Sequence, residues 1–372
     1  MKQLSYLLAC LALPVFLAGC HKKSDETTST GYTVEVILKN VPFRTNEFLR
    51  IPYSLKTWEW KKTGMRLKQI NILNDADKTI IQTLDSLHLP KVLMYPFPPN
   101  PIMPWDKINN YYFSIQLPIP LDQQPPARIS HELILRDTIH NTDVKVECGV
   151  YMPDYSATPL AIASPVKGTR WLFFNQSTND YHFTTLIFAG GIIGTGERFA
   201  FDNGQLDENF NEFYSGNPAV NSSYFCYGDT LYAIASGVVV ACRDTMIEND
   251  GNLRNHVDFN MPIDYAGNYI IIDIGNHHYA MYAHCVKNSF LITMGDSVTE
   301  GQPIARLGNS GNSDSPHLHF QIGDGQDFFM SNGLPFVLKK FTRIGSYQDP
   351  TPIPPVDYFN MMNEQTVVMS FE

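Results

Sequence analysis

The stretch that decides the fold reads His317-Leu318-His319-Phe320 and follows the glycine-containing turn Gly308-Asn309-Ser310-Gly311-Asn312-Ser313. On a β-strand, residues i and i+2 point to the same face. We therefore expect His317 and His319 to project into one site, with Leu318 in the core behind them. Two imidazoles on one face can serve a metal ion, but an isolated His-x-His pair is a weak signal. The surrounding sequence decides whether this pair indicates a metal site.

The segments around this stretch indicate β-structure. Residues 233–241 and 269–274 are rich in β-branched side chains and are separated by Gly, Asn and Asp, which favours strands. Residues 32–163 alternate with period two between proline-dense turns, and this spacing predicts an antiparallel, immunoglobulin-like β-sandwich. The fold class is therefore predicted to be all-β.

The N-terminus has the pattern of a secretory signal peptide. Lys2 precedes an apolar run, residues 4–17, that is too short to span a bilayer. The next residues complete Leu17-Ala18-Gly19-Cys20, which resembles a bacterial lipobox. This resemblance implies cleavage after residue 19 and lipidation of Cys20. We expect an exported protein of the bacterial cell envelope that contacts the membrane through lipid alone.

Length, charge and cysteine content narrow the possible functions. The chain has 372 residues, which predicts two domains at about 150 residues each. Its formal net charge is -10, so we expect no nucleic-acid partner. Six cysteines are too few for a disulfide scaffold in a chain of this length. We expect the later ones to be small core residues: Cys148, Cys226, Cys242 and Cys285.

Further short motifs precede the two histidines in a fixed order. They are Gly228-Asp229-Thr230-Leu231-Tyr232-Ala233, Ser236-Gly237-Val238-Val239, Tyr282-Ala283-His284, Gly295-Asp296-Ser297-Val298 and Gly301-Gln302-Pro303-Ile304-Ala305. With the His317-Leu318-His319 stretch, this order resembles the lysostaphin/LytM-type peptidoglycan metalloendopeptidases over about residues 196–323, a third of the chain. The resemblance implies a β-sheet peptidase core that binds zinc and acts on the cross-link peptides of peptidoglycan.

The resemblance also implies roles for individual residues. In that family, the His and Asp of an HxxxD motif and the second His of HxH hold the zinc ion. Asp202 and His319 match two of these ligands. His284 and His317 match the catalytic histidines, which transfer protons while zinc polarises the scissile carbonyl and acidifies its water.

The sequence departs from the family at the remaining ligand. The position four residues before Asp202 is Arg198, and a guanidinium cannot bind zinc because it offers no lone pair. The even offset predicts that Arg198 and Asp202 share one strand face and point at the same site. Asp202 and His319 alone are fewer than the three protein ligands of a catalytic zinc site.

Two hypotheses follow for the residues of the motifs themselves. In the first, Arg198 pairs with Asp202, and the protein is an inactive homologue that binds peptidoglycan or regulates another wall hydrolase. In the second, His317 joins His319 and Asp202 as a ligand, and the protein is a zinc hydrolase. A purely structural envelope protein would leave these histidines unexplained.

A third hypothesis brings in a ligand from outside the motifs. Either a β-bulge turns a neighbouring carboxylate toward the metal, or a histidine from a nearby loop completes the site. The candidates are Glu197, His256, His277 and His278.

These observations predict the organisation of the chain. Its segments are a signal peptide (1–19), a lipidated cysteine with a Ser/Thr-rich tether (20–31), a β-sandwich (32–163), a linker with a leading strand (164–195), a metallopeptidase-like domain (196–345) and a proline-rich tail (346–372). Within the tail, residues 367–371 are expected to add an edge strand.

Overall fold

The structure is a computed structural model, and it describes residues 34–58, 64–96, 110–175, 180–189, 191–256, 259–349, 351–362 and 367–372. The expected signal peptide, Cys20 and the tether lie outside these residues, so the lipoprotein hypothesis stays a prediction. Among the residues described, no helix combines the length and the apolar character needed to cross a bilayer.

Strands dominate the described chain, which confirms the all-β prediction. The strands are β1 (Val34–Ile37), β2 (Phe43–Arg44), β3 (Phe48–Thr57), β4 (Met65–Asn74), β5 (Ile80–Leu84), β6 (Tyr95–Pro96), β7 (Tyr111–Pro120), β8 (Ile129–Asp137), β9 (Thr142–Tyr151), β10 (Leu160–Ile162), β11 (Gly168–Phe174), β12 (Thr185–Ala189), β13 (Ile192–Gly194), β14 (Phe201–Gln205), β15 (Thr230–Tyr232), β16 (Gly237–Arg243), β17 (Tyr269–Asp273), β18 (Tyr279–Ala283), β19 (Ser297–Val298), β20 (Pro303–Arg306), β21 (Leu318–Gly323), β22 (Phe336–Ser346), β23 (Val356–Met361) and β24 (Val367–Phe371). They are accompanied by the short helices α1 (Leu89–Val92) and α2 (Asp180–Phe183) and by the 3-10 helices Gly196–Phe199, Asn221–Ser223 and Pro262–Ala266.

Two four-stranded antiparallel sheets form the N-terminal part. In one, β3 pairs with β7 along its whole length and with β1 and β2 at its two ends. The other has the order β5-β4-β8-β9. Both sheets contribute to one apolar core, which includes Tyr53 of β3, Ile72 of β4 and Leu133 of β8. The immunoglobulin-like topology stays a prediction.

A larger, eleven-stranded sheet carries the site, in the order β10-β22-β24-β11-β14-β21-β18-β17-β16-β19, with β23 paired to β22. β24 lies between β22 and β11, so the expectation of an edge strand at residues 367–371 is wrong. The physical reason is that β24 is apolar on both faces. Met369 enters the main core, whereas Val368 packs with Leu172 and Leu206 in a separate cluster. Such a strand is stable only in the interior of a sheet.

The N-terminal sheets contact the core of the large sheet directly. Phe43 of β2 is almost fully buried in that core and meets the ring of Phe199 edge-to-face, with the ring centroids 6.0 Å apart. The Met362 amide donates a hydrogen bond to the Arg44 carbonyl. The two parts are therefore joined by packing and by backbone hydrogen bonding.

The four later cysteines pack as core residues, as predicted. Cys226 and Cys285 are buried in the core of the large sheet, Cys242 packs against it, and Cys148 packs against the N-terminal core. All four carry free thiols. Their role is therefore one of packing.

The interior position of β24 gives a stability prediction. Met369→Ala should lower the free energy of unfolding by about 2–5 kcal/mol, because it leaves a cavity in a fully buried site. Met294→Ala is the matched control, since Met294 is 71% exposed, and it should change stability by less than about 0.5 kcal/mol. Denaturant unfolding measures both, and equal effects would place β24 at an exposed edge.

Candidate metal centre

Strand register brings the first two site residues together. In the pairing of β14 with β21, Asp202 lies opposite His319, and directly opposite residues have Cβ atoms about 5 Å apart. On the other edge of β21, Ala283 lies opposite His319, so His284 follows at the same level. The Nδ1 atom of His319 is 3.0 Å from Oδ1 of Asp202.

A second hydrogen bond orients the His319 ring. The Gln321 amide donates from Nε2 to the Phe328 carbonyl at 2.9 Å, so its Oε1 faces His319 Nε2 at 3.0 Å and accepts the proton of that atom. Burial alone would lower the pKa of His319, but the hydrogen bond and charge of Asp202 outweigh it and raise the pKa to about 8. His319 Nδ1 is thus directed at the carboxylate, where it can hold a proton or a metal ion.

His182 of α2 brings a third possible ligand to the same place. Its Nε2 lies 3.7 Å from Asp202 Oδ2, and its ring centroid lies 4.9 Å from that of His319. Ligand atoms of His182, Asp202 and His319 all lie within 4.8 Å of one another, and no member of the set is more than 5% exposed. Two imidazoles and one carboxylate form a donor set used by catalytic zinc sites, so these residues fit a zinc ion.

The sequence interpretation missed His182. This residue lies in the segment predicted to be a linker, residues 164–195, and it belongs to no motif of the resemblance. Its contact with Asp202 is a tertiary one, which residue spacing does not reveal. The only available signal was the ligand missing at Arg198 together with a histidine shortly upstream.

Arg198 does not point at Asp202. Residues Gly196–Phe199 form a 3-10 helix, and the argument from an even offset required an extended strand. The Arg198 guanidinium instead donates from Nη1 to the Leu38 carbonyl at 3.3 Å. The prediction of a shared strand face is wrong, and the hypothesis of an Arg198–Asp202 pair is contradicted.

The other ligand candidates lie outside the cluster. His256 and His277 are exposed, and His278 is half-buried. Among the described residues, the group of side chains able to hold a metal includes none of them. Glu197 is half-buried, and its charge adds to the larger effects of Asp202 in raising the pKa of His319.

His284 stands beside the cluster in an uncommon backbone conformation. Its φ is 62°, a left-handed value that is unusual outside glycine and is often found at functional sites. Its Nδ1 lies 2.8 Å from the Ser310 carbonyl. A carbonyl can only accept, so Nδ1 carries the proton and Nε2 has the lone pair. Burial, with nearby His317 and His319, holds the pKa of His284 well below its usual value, so the ring is neutral.

His317 is also oriented by a hydrogen bond to a backbone carbonyl. Its Nδ1 donates to the Ser315 carbonyl at 2.8 Å, and its Nε2 lies 3.6 Å from Asp202 Oδ1. The ring centroid is 4.8 Å from that of His284. His317 lies outside the three-residue metal group, next to His284.

Asp202 is the group that all these side chains share. Its Oδ2 accepts a hydrogen bond of 2.8 Å from Asn175 Nδ2. Burial alone would raise the pKa of Asp202, but the neighbouring imidazoles of His182, His317 and His319 lower it far below its ordinary value. The carboxylate is therefore ionised at neutral pH and can bind a cation.

Residues 224–329 match the sequence model described as Peptidase family M23. The chain carries a peptidase family M23 domain. The matched residues include His284, His317 and His319. Asp202 and His182 lie before the start of the match, so the M23 domain and the candidate metal centre overlap only in part.

Relatives of the M23 domain include peptidoglycan hydrolases. Peptidoglycan DD-endopeptidase ShyA of Vibrio cholerae is 35% identical over 95 residues, which are 26% of this chain and 17% of that protein. Peptidoglycan DD-endopeptidase ShyB of the same organism is 40% identical over 58 residues, 16% of this chain and 13% of that protein. The matches therefore span less than a fifth of either relative. The catalytic domain of lysostaphin from Staphylococcus simulans is 24% identical, with 33% of this chain and 85% of that chain covered and a TM-score of 0.21.

The geometry predicts that His182 is needed for metal binding. His182→Ala should weaken zinc binding at least about 100-fold, because a two-ligand site remains. His256→Ala is the control, since that exposed histidine lies outside the cluster. Competition against a chromophoric chelator measures both affinities. Equal zinc affinity in the two variants would remove His182 from the site.

Proposed function

We propose that the protein is a zinc metallopeptidase that hydrolyses the peptide cross-links of peptidoglycan at the bacterial cell envelope. The observation that carries the proposal is the buried set of His182, Asp202 and His319, which supplies the third ligand that Arg198 cannot. The names of the relatives ShyA and ShyB support peptidoglycan as the substrate. A lipid on Cys20 would hold the enzyme at the membrane.

The chain's own contribution to the reaction is binding and proton transfer. A zinc ion held by His182, Asp202 and His319 would supply Lewis acidity to the scissile carbonyl and to water. Beside these ligands, His284 presents an unprotonated Nε2, because its Nδ1 proton is held by a backbone carbonyl, and the His317 ring lies next to it. Either ring can take a proton from the attacking water and pass it to the leaving amine. The low pKa of His284 keeps that ring in the base form.

The alternative proposal is an inactive homologue that binds peptidoglycan or regulates another wall hydrolase. It depended on an arginine among the zinc ligands. The side chain of Arg198 leaves that position, and His182 supplies an imidazole there, so the hydrolase is the better supported of the two.

Hydrolysis of purified peptidoglycan tests the proposal. The zinc-loaded protein should release cross-link peptides, and a chelator should abolish the release reversibly. His284→Ala and His317→Ala should each lower the rate by about 100-fold or more with zinc content unchanged, whereas His256→Ala should keep the wild-type rate. A wild-type protein that holds one zinc ion and cleaves no peptidoglycan would establish the inactive homologue instead.

Zinc affinity should also depend on pH. The pKa of His319 is about 8 without metal, so zinc must displace a proton from this ring at lower pH. Apparent affinity should therefore rise as the pH increases toward about 8 and then level off, while Asp202 stays ionised throughout. Chelator competition across this range measures the effect. An affinity that does not change below that pH would show that His319 is not the titrating ligand.

A further inference from the structure

Arg198 is a buried cation whose guanidinium is only partly hydrogen-bonded. It is 1% exposed. Its Nη1 donates to the Leu38 carbonyl, and its Nε and Nη2 make no hydrogen bond to any of the residues that the structure describes. Burial lowers the pKa of Arg198 to about 9. An apolar side chain of similar size would avoid this cost. The contacts of the guanidinium indicate what the charge does.

On one side, Arg198 holds the helix that carries His182. The guanidinium carbon lies 4.8 Å from the ring centroid of Phe183 and 5.5 Å from that of Phe199, within the range of a cation–π contact. These two rings also pack edge-to-face at 5.8 Å. Phe183 directly follows His182 in α2, so its ring ties the position of α2 to Arg198.

A helix as short as α2 depends on such contacts. It has four residues, and one turn of helix is unstable without tertiary packing. The strand residues Asp202 and His319 differ in this respect, since sheet hydrogen bonds fix their backbone. The packing of Phe183 therefore contributes to the position of His182.

On the other side, Arg198 reaches the N-terminal sheets. It donates to the carbonyl of Leu38, the residue after β1. Phe43 of β2 packs against Phe199, the same ring that Arg198 contacts. The side chain thus spans the distance between the N-terminal sheets and α2.

We propose that Arg198 is a positioning residue that couples docking of the N-terminal sheets to the placement of His182 in the zinc centre. The inference rests on the proposed zinc site. Weaker contacts with the N-terminal sheets should weaken zinc binding, and zinc binding should strengthen these contacts by the same factor, because coupling is reciprocal. Arg198 therefore does not bind zinc itself. It holds His182, which takes the place of the missing histidine ligand.

Zinc affinities of three variants of the full chain test the coupling. Arg198→Met removes the charge at similar size and should weaken zinc binding about 10- to 100-fold, the usual effect of removing a residue that orients a ligand. Arg198→Lys should weaken zinc binding less than Arg198→Met does, because it keeps a cation near Phe183. Arg198→His should bind zinc no more tightly than the wild type, because the side chain at this position does not reach Asp202.

Two further variants separate positioning from general stability. Met369→Ala destabilises the same core away from α2 and should leave the zinc affinity of the folded protein unchanged. Phe43→Ala removes the ring through which β2 packs against Phe199 and leaves the Arg198 side chain in place. It should weaken zinc binding even if the Arg198 variants do not fold. Hydrogen exchange adds a readout of docking: zinc should slow exchange in residues 34–44 of the wild type and not in Arg198→Met.

The outcomes distinguish the coupling from the zinc site itself. A wild type that binds no zinc, or a His182→Ala variant that binds it normally, would end the proposed function and the coupling with it. Unchanged zinc affinity in Arg198→Met and Phe43→Ala, or tighter binding by Arg198→His, would overturn the coupling alone.

Discussion

The ionised carboxylate of Asp202, removed from water, constrains the arrangement of the whole site. A buried charge is stable only when polar groups surround it, and here the amide of Asn175 and three imidazoles do so. Those partners come from the end of β11, from α2 and from the start of β21. The requirement to compensate one charge therefore determines where three separate segments meet, and it gathers the groups that a metal ion needs.

The partners of Asp202 are held in place by two different means. His319 is fixed by strand register and by Gln321, so its position follows from the sheet alone. His182 sits on a single helical turn whose placement follows from aromatic packing and from Arg198. Because His182 is held by packing, the metal centre depends on parts of the chain that would not affect a ligand on the sheet. These parts include the N-terminal sheets.

The sequence was informative wherever the geometry was local. Alternation along one strand correctly predicted that Leu318 enters the core. The pairing of β21 with β14 and with β18 brings Asp202 and His284 to His319. The all-β class followed from the same period-two pattern. These arguments succeed because a strand determines side-chain direction residue by residue.

The sequence was uninformative wherever a position depends on distant contacts. The offset between Arg198 and Asp202 was interpreted for an extended chain, but the backbone turns into a 3-10 helix before β14. His182 reaches the centre through tertiary packing, and β24 pairs with β11, which lies far away in sequence. A periodic pattern within a short window of sequence cannot reveal contacts of this kind.

The loss of a motif residue is therefore a weak argument for the loss of a metal site. A metal ion requires donors at the right places in space, and a donor from another segment can replace one that a motif has lost. The replacement enlarges the part of the chain on which the site depends. Of the three residues that fit zinc, only His319 lies within the matched residues 224–329. The proposed zinc site of this M23 domain then depends on the segments that precede the domain.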